Sequence, residues 1–126
     1  MSIVALIDDN TDSQDIYSSL LKEEGFTVLQ AFDGKTGFQL IKDKNPDLVI
    51  LDIMLPGKMN GFDFMEMMKQ DAKLKNTPVI VLTNLDTEEQ VAKNIGAKEY
   101  LIKSNMKMED FLELVKKHAK KKGLFG

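Results

Sequence analysis

The sequence contains no cysteine and no arginine, and both absences exclude kinds of chemistry. Without cysteine the chain has no disulfide and no thiol nucleophile, which suits the cytosol. All 17 basic residues are lysines, so bidentate arginine clamps on phosphate are missing. A phosphate would have to be bound by lysine, backbone N–H groups, hydroxyls or a metal ion. The single histidine, His118, falls late in the last predicted helix and is expected at the surface, which excludes histidine-based catalysis.

Long apolar runs are also missing. No segment approaches the length of about 20 residues that a transmembrane helix needs, and the N-terminus lacks the basic and apolar regions of a secretory leader. The 126 residues suffice for one domain with its own core. A net charge of −3 argues against nucleic acid as the main partner. We therefore predict one domain over residues 1–126, with its core in residues 2–122, in a cytoplasmic protein that binds neither membrane nor DNA.

The most informative segment is LVILDIMLP, residues 48–56. Its first four residues form an unbroken apolar run between Pro46 and Pro56, too short for a buried helix. Such a run predicts a strand that is buried on both faces in the middle of a parallel sheet. The strand ends in Asp52, and burying an unpaired carboxylate is costly. Asp52 therefore calls for a functional explanation.

Short apolar runs alternate with helical patterns along the whole chain. The predicted strands are residues 3–7, 26–29, 48–51, 79–82 and 99–102. Capping residues and glycines delimit the helices between them: the third is expected from about Gly61 to Ala72, and the fourth from Asp86 or Thr87. This alternation predicts an α/β fold, a flavodoxin-like (βα)5 doubly wound parallel sheet in the order 2-1-3-4-5. The second strand has the weakest apolar run and is expected at an edge.

Two further patterns concern the helices. The third helix is rich in methionine, which fills irregular gaps in cores, so we expect core packing there with Met67 as the outward residue. The chain also has basic residues near its C-terminus that favour a helix end and solubility. They are Lys116, Lys117, Lys120, Lys121 and Lys122.

Polar side chains follow four of the five predicted strands. Asp8 and Asp9 follow the first, Asp52 the third, Thr83 the fourth and Lys103 the fifth. In open parallel sheets ligands bind beyond these carboxyl ends. Three clustered carboxylates repel one another unless a cation is present, and oxygen ligands with remaining waters suit Mg²⁺.

This set of groups also suits a transferred phosphoryl group. Asp8 and Asp9 form the metal pair, with Asp52 and the backbone carbonyl of Met54 as further ligands. Asp52, the lone acid on the central strand, is then the nucleophile. The Thr83 hydroxyl donates a hydrogen bond, while Lys103 and Mg²⁺ neutralise the phosphoryl oxygens.

Over essentially its full length the chain resembles the receiver domain of bacterial two-component response regulators, including those of chemotaxis. Tyr100 falls where that family has its aromatic switch residue. The other matching residues are Asp8 and Asp9, Asp52, Gly61, Thr83 in VIVLTN, Gly96 and Ala97, and Lys103 in YLIK.

The resemblance implies that Asp52 accepts a phosphoryl group from a histidine kinase or phosphotransfer protein, with Mg²⁺ as cofactor. It implies that Thr83 and Tyr100 then reorient and change the surface of the fourth helix, fifth strand and fifth helix, to which a downstream protein binds. Such a domain catalyses only its own phosphotransfer and dephosphorylation. Residues 123–126 fall about where a receiver ends, which favours a stand-alone receiver.

Several residues depart from the family pattern. The loop from Asp52 to Gly61 is one residue longer than usual, and Asn84 replaces a small residue. Ser104 stands where the family has a cis-proline, and a non-proline cis bond costs about 3–4 kcal/mol, so we predict a trans peptide between Lys103 and Ser104.

Two alternatives share the Asp chemistry or the motif. A phosphatase of the haloacid-dehalogenase type needs an acid two residues after the nucleophile, where this chain has Met54. A receiver-like module that binds partners without phosphorylation typically loses an acid or the lysine. This chain keeps all five of the residues that such chemistry needs, which are Asp8, Asp9, Asp52, Thr83 and Lys103. A flavodoxin is disfavoured because the first loop lacks a phosphate cradle rich in serine, threonine and glycine.

Overall fold

The structure, a computed structural model, describes residues 2–119. In this range five strands alternate with five helices. The elements are β1 (Ile3–Ile7), α1 (Thr11–Glu23), β2 (Thr27–Ala31), α2 (Gly34–Lys44), β3 (Leu48–Leu51), α3 (Gly61–Lys69), β4 (Val79–Thr83), α4 (Glu89–Ile95), β5 (Glu99–Ile102) and α5 (Met108–His118), with a 3₁₀ turn over Lys103–Asn105. The predictions for Lys120, Lys121, Lys122 and residues 123–126 lie outside the described residues.

The strands form one parallel sheet in the order β2-β1-β3-β4-β5, as predicted. All four residues of Leu48–Leu51 are fully buried, which confirms that β3 is a strand covered on both faces. β2 lies at an edge and is the more exposed of the two strands that flank β1. The weak apolar run of the second strand thus reflects its edge position.

Each face of the sheet packs on its own set of helices. Val49 and Leu51 of β3 point into a core formed with α2, α3 and α4, where Phe64 is a fully buried residue. Leu48 and Ile50 point to the opposite face, toward α1 and α5. Burial of both faces is what a doubly wound parallel sheet requires. The third helix packs as expected, since Met65 and Met68 are buried and Met67 is exposed.

The predicted start of α4 is wrong. The helix begins at Glu89, and its N-cap, Glu88, makes no side-chain capping bond. Asp86 and Thr87 instead belong to a loop that is held out of the helix at Leu85, whose N–H donates to the nearby Thr83 side chain and whose carbonyl accepts from the distant Tyr100 hydroxyl. Sequence reasoning assigned cap chemistry to residues that lie in this loop.

The predicted end of α3 is also wrong, because the helix ends at Lys69 and not at Ala72. The Asp71 carboxylate accepts hydrogen bonds from the N–H groups of Lys73 and Leu74, at 2.8 and 3.2 Å. These bonds offer the backbone an alternative to the helix. They form a turn that buries Leu74.

The prediction that His118 lies at the surface is wrong as well. Its side chain is only 16% exposed, and Nε2 lies 2.8 Å from Oε2 of Glu99. This pair joins the end of α5 to the start of β5.

Among residues 2–119, no helix has both the length and the apolar character to cross a membrane.

Candidate functional site

Three carboxylates converge where β1 and β3 end. Ile7 and Leu51 are register partners, and the N–H of Asp52 donates to the carbonyl of Ile7 at 2.9 Å. Asp8 and Asp52 therefore leave neighbouring strands side by side. With Asp9, each offers one carboxylate oxygen, and the three oxygens lie within 4.8 Å of one another. Asp8 and Asp52 are buried, whereas Asp9 is exposed.

Lys103 joins this acidic cluster from the far side of β4. Its Nζ lies 2.6 Å from Oδ2 of Asp8 and 2.9 Å from Oδ2 of Asp52. The side chain is 11% exposed, so both ion pairs are largely shielded from water. The structure thus brings together four of the residues that the sequence predicted for the site.

The electrostatics of the cluster follow from burial and from this pairing. Burial raises the pKa of Asp8 above its ordinary value, and the close contact with the Lys103 ammonium group offsets this only in part. Burial alone would lower the pKa of Lys103, but the carboxylates of Asp8 and Asp52 raise it above its ordinary value. Lys103 therefore keeps its positive charge, while the charged form of Asp8 is disfavoured.

The donor set fits a divalent cation. Oδ2 of Asp8 is buried and, within residues 2–119, accepts no hydrogen bond of good geometry, although Lys103 lies beside it. Oxygen-only donors favour a hard ion such as Mg²⁺. Met54 lies next to these donors, since its N–H donates to Oδ1 of Asp52 at 2.9 Å.

Gly61 allows α3 to begin against the end of β3. A Cβ atom at this position would lie 2.5 Å from Cα of Ile53 and 2.8 Å from the carbonyl oxygen of Asp52. The Gly61 N–H also donates to the Ile53 carbonyl at 2.9 Å. A side chain here would displace the backbone that carries Asp52.

Thr83 and Tyr100 are linked through a single residue of the β4–α4 loop. Oγ1 of Thr83, which is fully buried, accepts from the N–H of Leu85 at 3.3 Å. The hydroxyl of Tyr100 donates to the carbonyl of Leu85. Burial raises the pKa of Tyr100, so the hydroxyl keeps its proton and can donate this bond. The two predicted switch residues thus hold the same peptide segment from both sides.

The peptide bond between Lys103 and Ser104 is trans, as predicted. Lys103 reaches both acids from this backbone.

Sequence reasoning missed Gln14 of α1. Its side chain is fully buried and its amide nitrogen bonds to three backbone carbonyls, including that of Asp8. Gln14 stands three residues before Tyr17 and seven before Leu21, both of which are buried. This helical spacing places it on the inner face of α1, and it could have identified the residue.

Comparison with known proteins agrees with this geometry. The family model of the response regulator receiver domain matches residues 4–116. Among solved structures, chemotaxis protein CheY4 of Vibrio cholerae is 27% identical, covers 94% of this chain and 98% of its own, and superposes with a TM-score of 0.85. Response regulator Rcp1 in a Mn²⁺-bound form is 25% identical over 93% of this chain and 91% of its own, with a TM-score of 0.76.

A third structure shows a likeness in fold. It is the receiver domain of a sensor histidine kinase from Pseudomonas aeruginosa, with a magnesium ion in its active-site cleft. The identity is 20% over 94% of this chain and 97% of that one, with a TM-score of 0.84. The fold, the arrangement of the strand ends and the match over residues 4–116 lead to one conclusion: the chain belongs to the response regulator receiver domain family, the signalling domains of two-component systems.

Proposed function

We propose that the domain accepts a phosphoryl group on Asp52 from a histidine kinase or phosphotransfer protein, in a Mg²⁺-dependent reaction. The observation that carries the proposal is the position of Lys103, whose Nζ lies within 2.9 Å of both Asp8 and Asp52 in a buried cluster of acids. A fixed cation beside a carboxylate nucleophile is the arrangement that stabilises a phosphoryl group in transfer. Residues 1–126, with a core over 2–122, act as one receiver domain in the cytoplasm.

Asp52 is the nucleophile in this proposal. One carboxylate oxygen forms the new P–O bond, while the P–N bond of the phosphohistidine breaks and the imidazole leaves. Lys103 then pairs with the phosphoryl oxygens, and the Thr83 hydroxyl donates to one of them. Asp8, Asp9, Asp52 and the carbonyl of Met54 would hold Mg²⁺, which would supply positive charge against the phosphoryl oxygens. The similarity to response regulator Rcp1, which is known in a Mn²⁺-bound form, supports binding of a divalent cation.

The switch follows from the bonds at Leu85. When the Thr83 hydroxyl turns to the phosphoryl group, its bond with the Leu85 N–H is lost. The loop then moves, and with it the carbonyl to which Tyr100 donates. Thr83 and Tyr100 thereby change the surface formed by α4, β5 and α5, where a downstream protein binds. Neither DNA nor a membrane takes part.

Beryllofluoride, which imitates a phosphoryl group on a carboxylate, tests this proposal. With Mg²⁺ it is expected to shift the backbone amide NMR signals of Thr83, Leu85 and Tyr100. The Asp52→Asn variant, which has the same size, should show no such shift. Shifts that persist in Asp52→Asn would contradict the proposal, and absence of binding by the unmodified protein would favour a receiver-like module that is not phosphorylated.

The phosphatase alternative has its own test. Met54 stands where such an enzyme needs its second acid, and it has no group that transfers a proton. We therefore expect no turnover of small phosphoesters. Sustained release of phosphate from such a substrate, lost in Asp52→Asn, would revive the alternative.

A further inference from the structure

Gln14 makes an unusual set of hydrogen bonds beneath the acidic loop. Its side chain is fully buried, and Nε2 lies 3.0 Å from the carbonyl oxygens of Leu6 and Asp8 and 2.8 Å from that of Ala31. Its Oε1 accepts from Nε2 of Gln30 at 2.9 Å. The amide nitrogen has two hydrogens for three acceptors, so one hydrogen is shared between two of the carbonyl oxygens. Each polar atom of this buried side chain is thus engaged.

The bonds lie where the sheet hydrogen bonding ends. β1 ends at Ile7, and the N–H of Asp8 makes one more bond, to the carbonyl of Ala31 at 3.1 Å. The carbonyl of Asp8 follows the last register pair of these strands, Ile7 and Ala31, and a buried carbonyl without a donor is costly. The Gln14 amide supplies the donor. A side chain of α1 therefore supplies the hydrogen bond that the backbone of a neighbouring strand would otherwise supply.

The Asp8 carbonyl belongs to the planar peptide that joins Asp8 to Asp9. A bond that fixes this carbonyl fixes the plane and with it the direction in which Asp9 leaves the strand. The carboxylate of Asp8 has contacts of its own, with the N–H of Asn10 at 2.9 Å and with Lys103. Asp9 is exposed, and within residues 2–119 no hydrogen bond or ion pair holds its carboxylate. Its placement comes from the backbone.

We propose that Gln14 is a positioning residue for the cation site, which holds the peptide between Asp8 and Asp9 so that both carboxylates face Asp52. The inference rests on the proposed function, because it concerns the Mg²⁺ that this function requires. Groups that orient metal ligands without touching the metal typically change affinity by about 10–100-fold when they are replaced. Gln14 acts through the backbone of the ligands, and not through their carboxylates.

The test is the dissociation constant for Mg²⁺ of the metal-free protein, measured by titration of backbone amide NMR signals. Gln14→Met keeps the length of the side chain and removes its donors. We expect the Kd for Mg²⁺ to rise by about tenfold or more. Gln30→Met is the matched control, because it removes the outer bond and leaves all three carbonyl bonds of Gln14 in place. Its Kd should stay near that of the unmodified protein.

A second control separates positioning from loss of stability. Ile41 is buried on the opposite face of the sheet from α1, so Ile41→Val should destabilise the fold and leave the Kd unchanged. Equal losses of affinity in Ile41→Val and Gln14→Met would overturn the inference, as would an unchanged Kd in Gln14→Met. If Gln14→Met does not fold, Gln14→Asn, whose amide is one methylene short of the carbonyls, is measured instead with the same criteria. Failure of the unmodified protein to bind Mg²⁺ would overturn the proposed function itself.

Discussion

Ser104 donates its backbone N–H to the side-chain oxygen of Asn84, 3.1 Å away. The bond joins the loop that follows Thr83 to the turn that carries Lys103. Both residues depart from the pattern that the receiver resemblance implies, which has a small residue and a proline at these positions. A proline would offer no N–H to Asn84. The two departures therefore complement each other, and together they hold the turn with its trans peptide.

Replacing Asn84 should therefore weaken the fold. Asn84→Ala is expected to lower the free energy of unfolding by about 0.5–1.5 kcal/mol, the net worth of one such hydrogen bond. Asn84→Asp keeps an acceptor oxygen and should retain more of the stability. Urea denaturation of the three proteins measures the effect. An equal loss in both variants would show that the bond to Ser104 contributes nothing.

Asp8→Asn should stabilise the protein when Mg²⁺ is absent. Burial raises the pKa of Asp8 in the folded state above its ordinary value of 3.8, which holds in the unfolded state. At pH values between the unfolded-state pKa and the folded-state pKa, the folded state therefore binds more protons than the unfolded state. Stability conferred by this group falls as the pH rises through that window, and above it the full cost of the charged form is present. Asparagine removes the cost. The gain should be present at pH 7 and vanish below the ordinary pKa.

Added Mg²⁺ should make the unmodified protein more stable than the Asp8→Asn variant. The cation stabilises the protein that binds it by mass action, and asparagine supplies no charge to hold it. Thermal melts with and without Mg²⁺, at pH 7 and in acid, measure both effects. A variant that is less stable than the unmodified protein in metal-free buffer at pH 7 would contradict the electrostatic account.

The phosphorylated form should lose its phosphate slowly. The receiver resemblance implies that Met54 and Leu85 line the phosphorylation pocket, and neither side chain has a polar group to orient an attacking water. Met54 is 57% exposed, so a polar replacement fits there without disturbing the core. Met54→Glu is expected to shorten the lifetime of the phosphorylated form by at least about tenfold, with Met54→Leu as the control. A lifetime of seconds in the unmodified protein would contradict this prediction.

Gly61→Ala should damage the site through its backbone. The new Cβ would meet backbone atoms of Ile53 and Asp52 at 2.5 and 2.8 Å, which cannot move aside as a flexible side chain can. We expect a loss of about 1–3 kcal/mol in the free energy of unfolding, with slower phosphorylation. Gly37→Ala meets only side-chain atoms, the nearest at 3.0 Å, and should cost far less. Equal stability of both variants, measured by urea denaturation, would argue against the steric account.

Much of the fold is readable from local patterns. The run before Asp52 predicted the buried central strand, because a strand covered on both faces needs apolar residues throughout. Strand ends predicted the acidic cluster, since parallel strands bring their carboxyl ends to one edge. These are short-range rules, and they work where a residue's neighbours in sequence decide its environment.

Tertiary contacts decided most of the features that sequence reasoning missed, although the end of α3 follows from local bonds to Asp71. α4 begins late because the carbonyl of Leu85 accepts a hydrogen bond from the distant Tyr100. His118 is shielded because Glu99 lies opposite it on β5. The burial of Gln14 depends on carbonyls that lie on two different strands. Tyr100, Glu99 and Ala31 lie 15 or more residues from their partners and leave no local pattern, whereas the helical spacing of Gln14 does mark the inner face of α1.

The central claim is that Asp52 receives the phosphoryl group. Its most direct test is incubation of the protein with a small phosphodonor, or with a labelled histidine kinase, in the presence of Mg²⁺, followed by intact mass or label measurement. The account predicts one phosphoryl group per chain, dependent on Mg²⁺ and absent from Asp52→Ala. Equal phosphorylation of Asp52→Ala, or none in the unmodified protein, would contradict it.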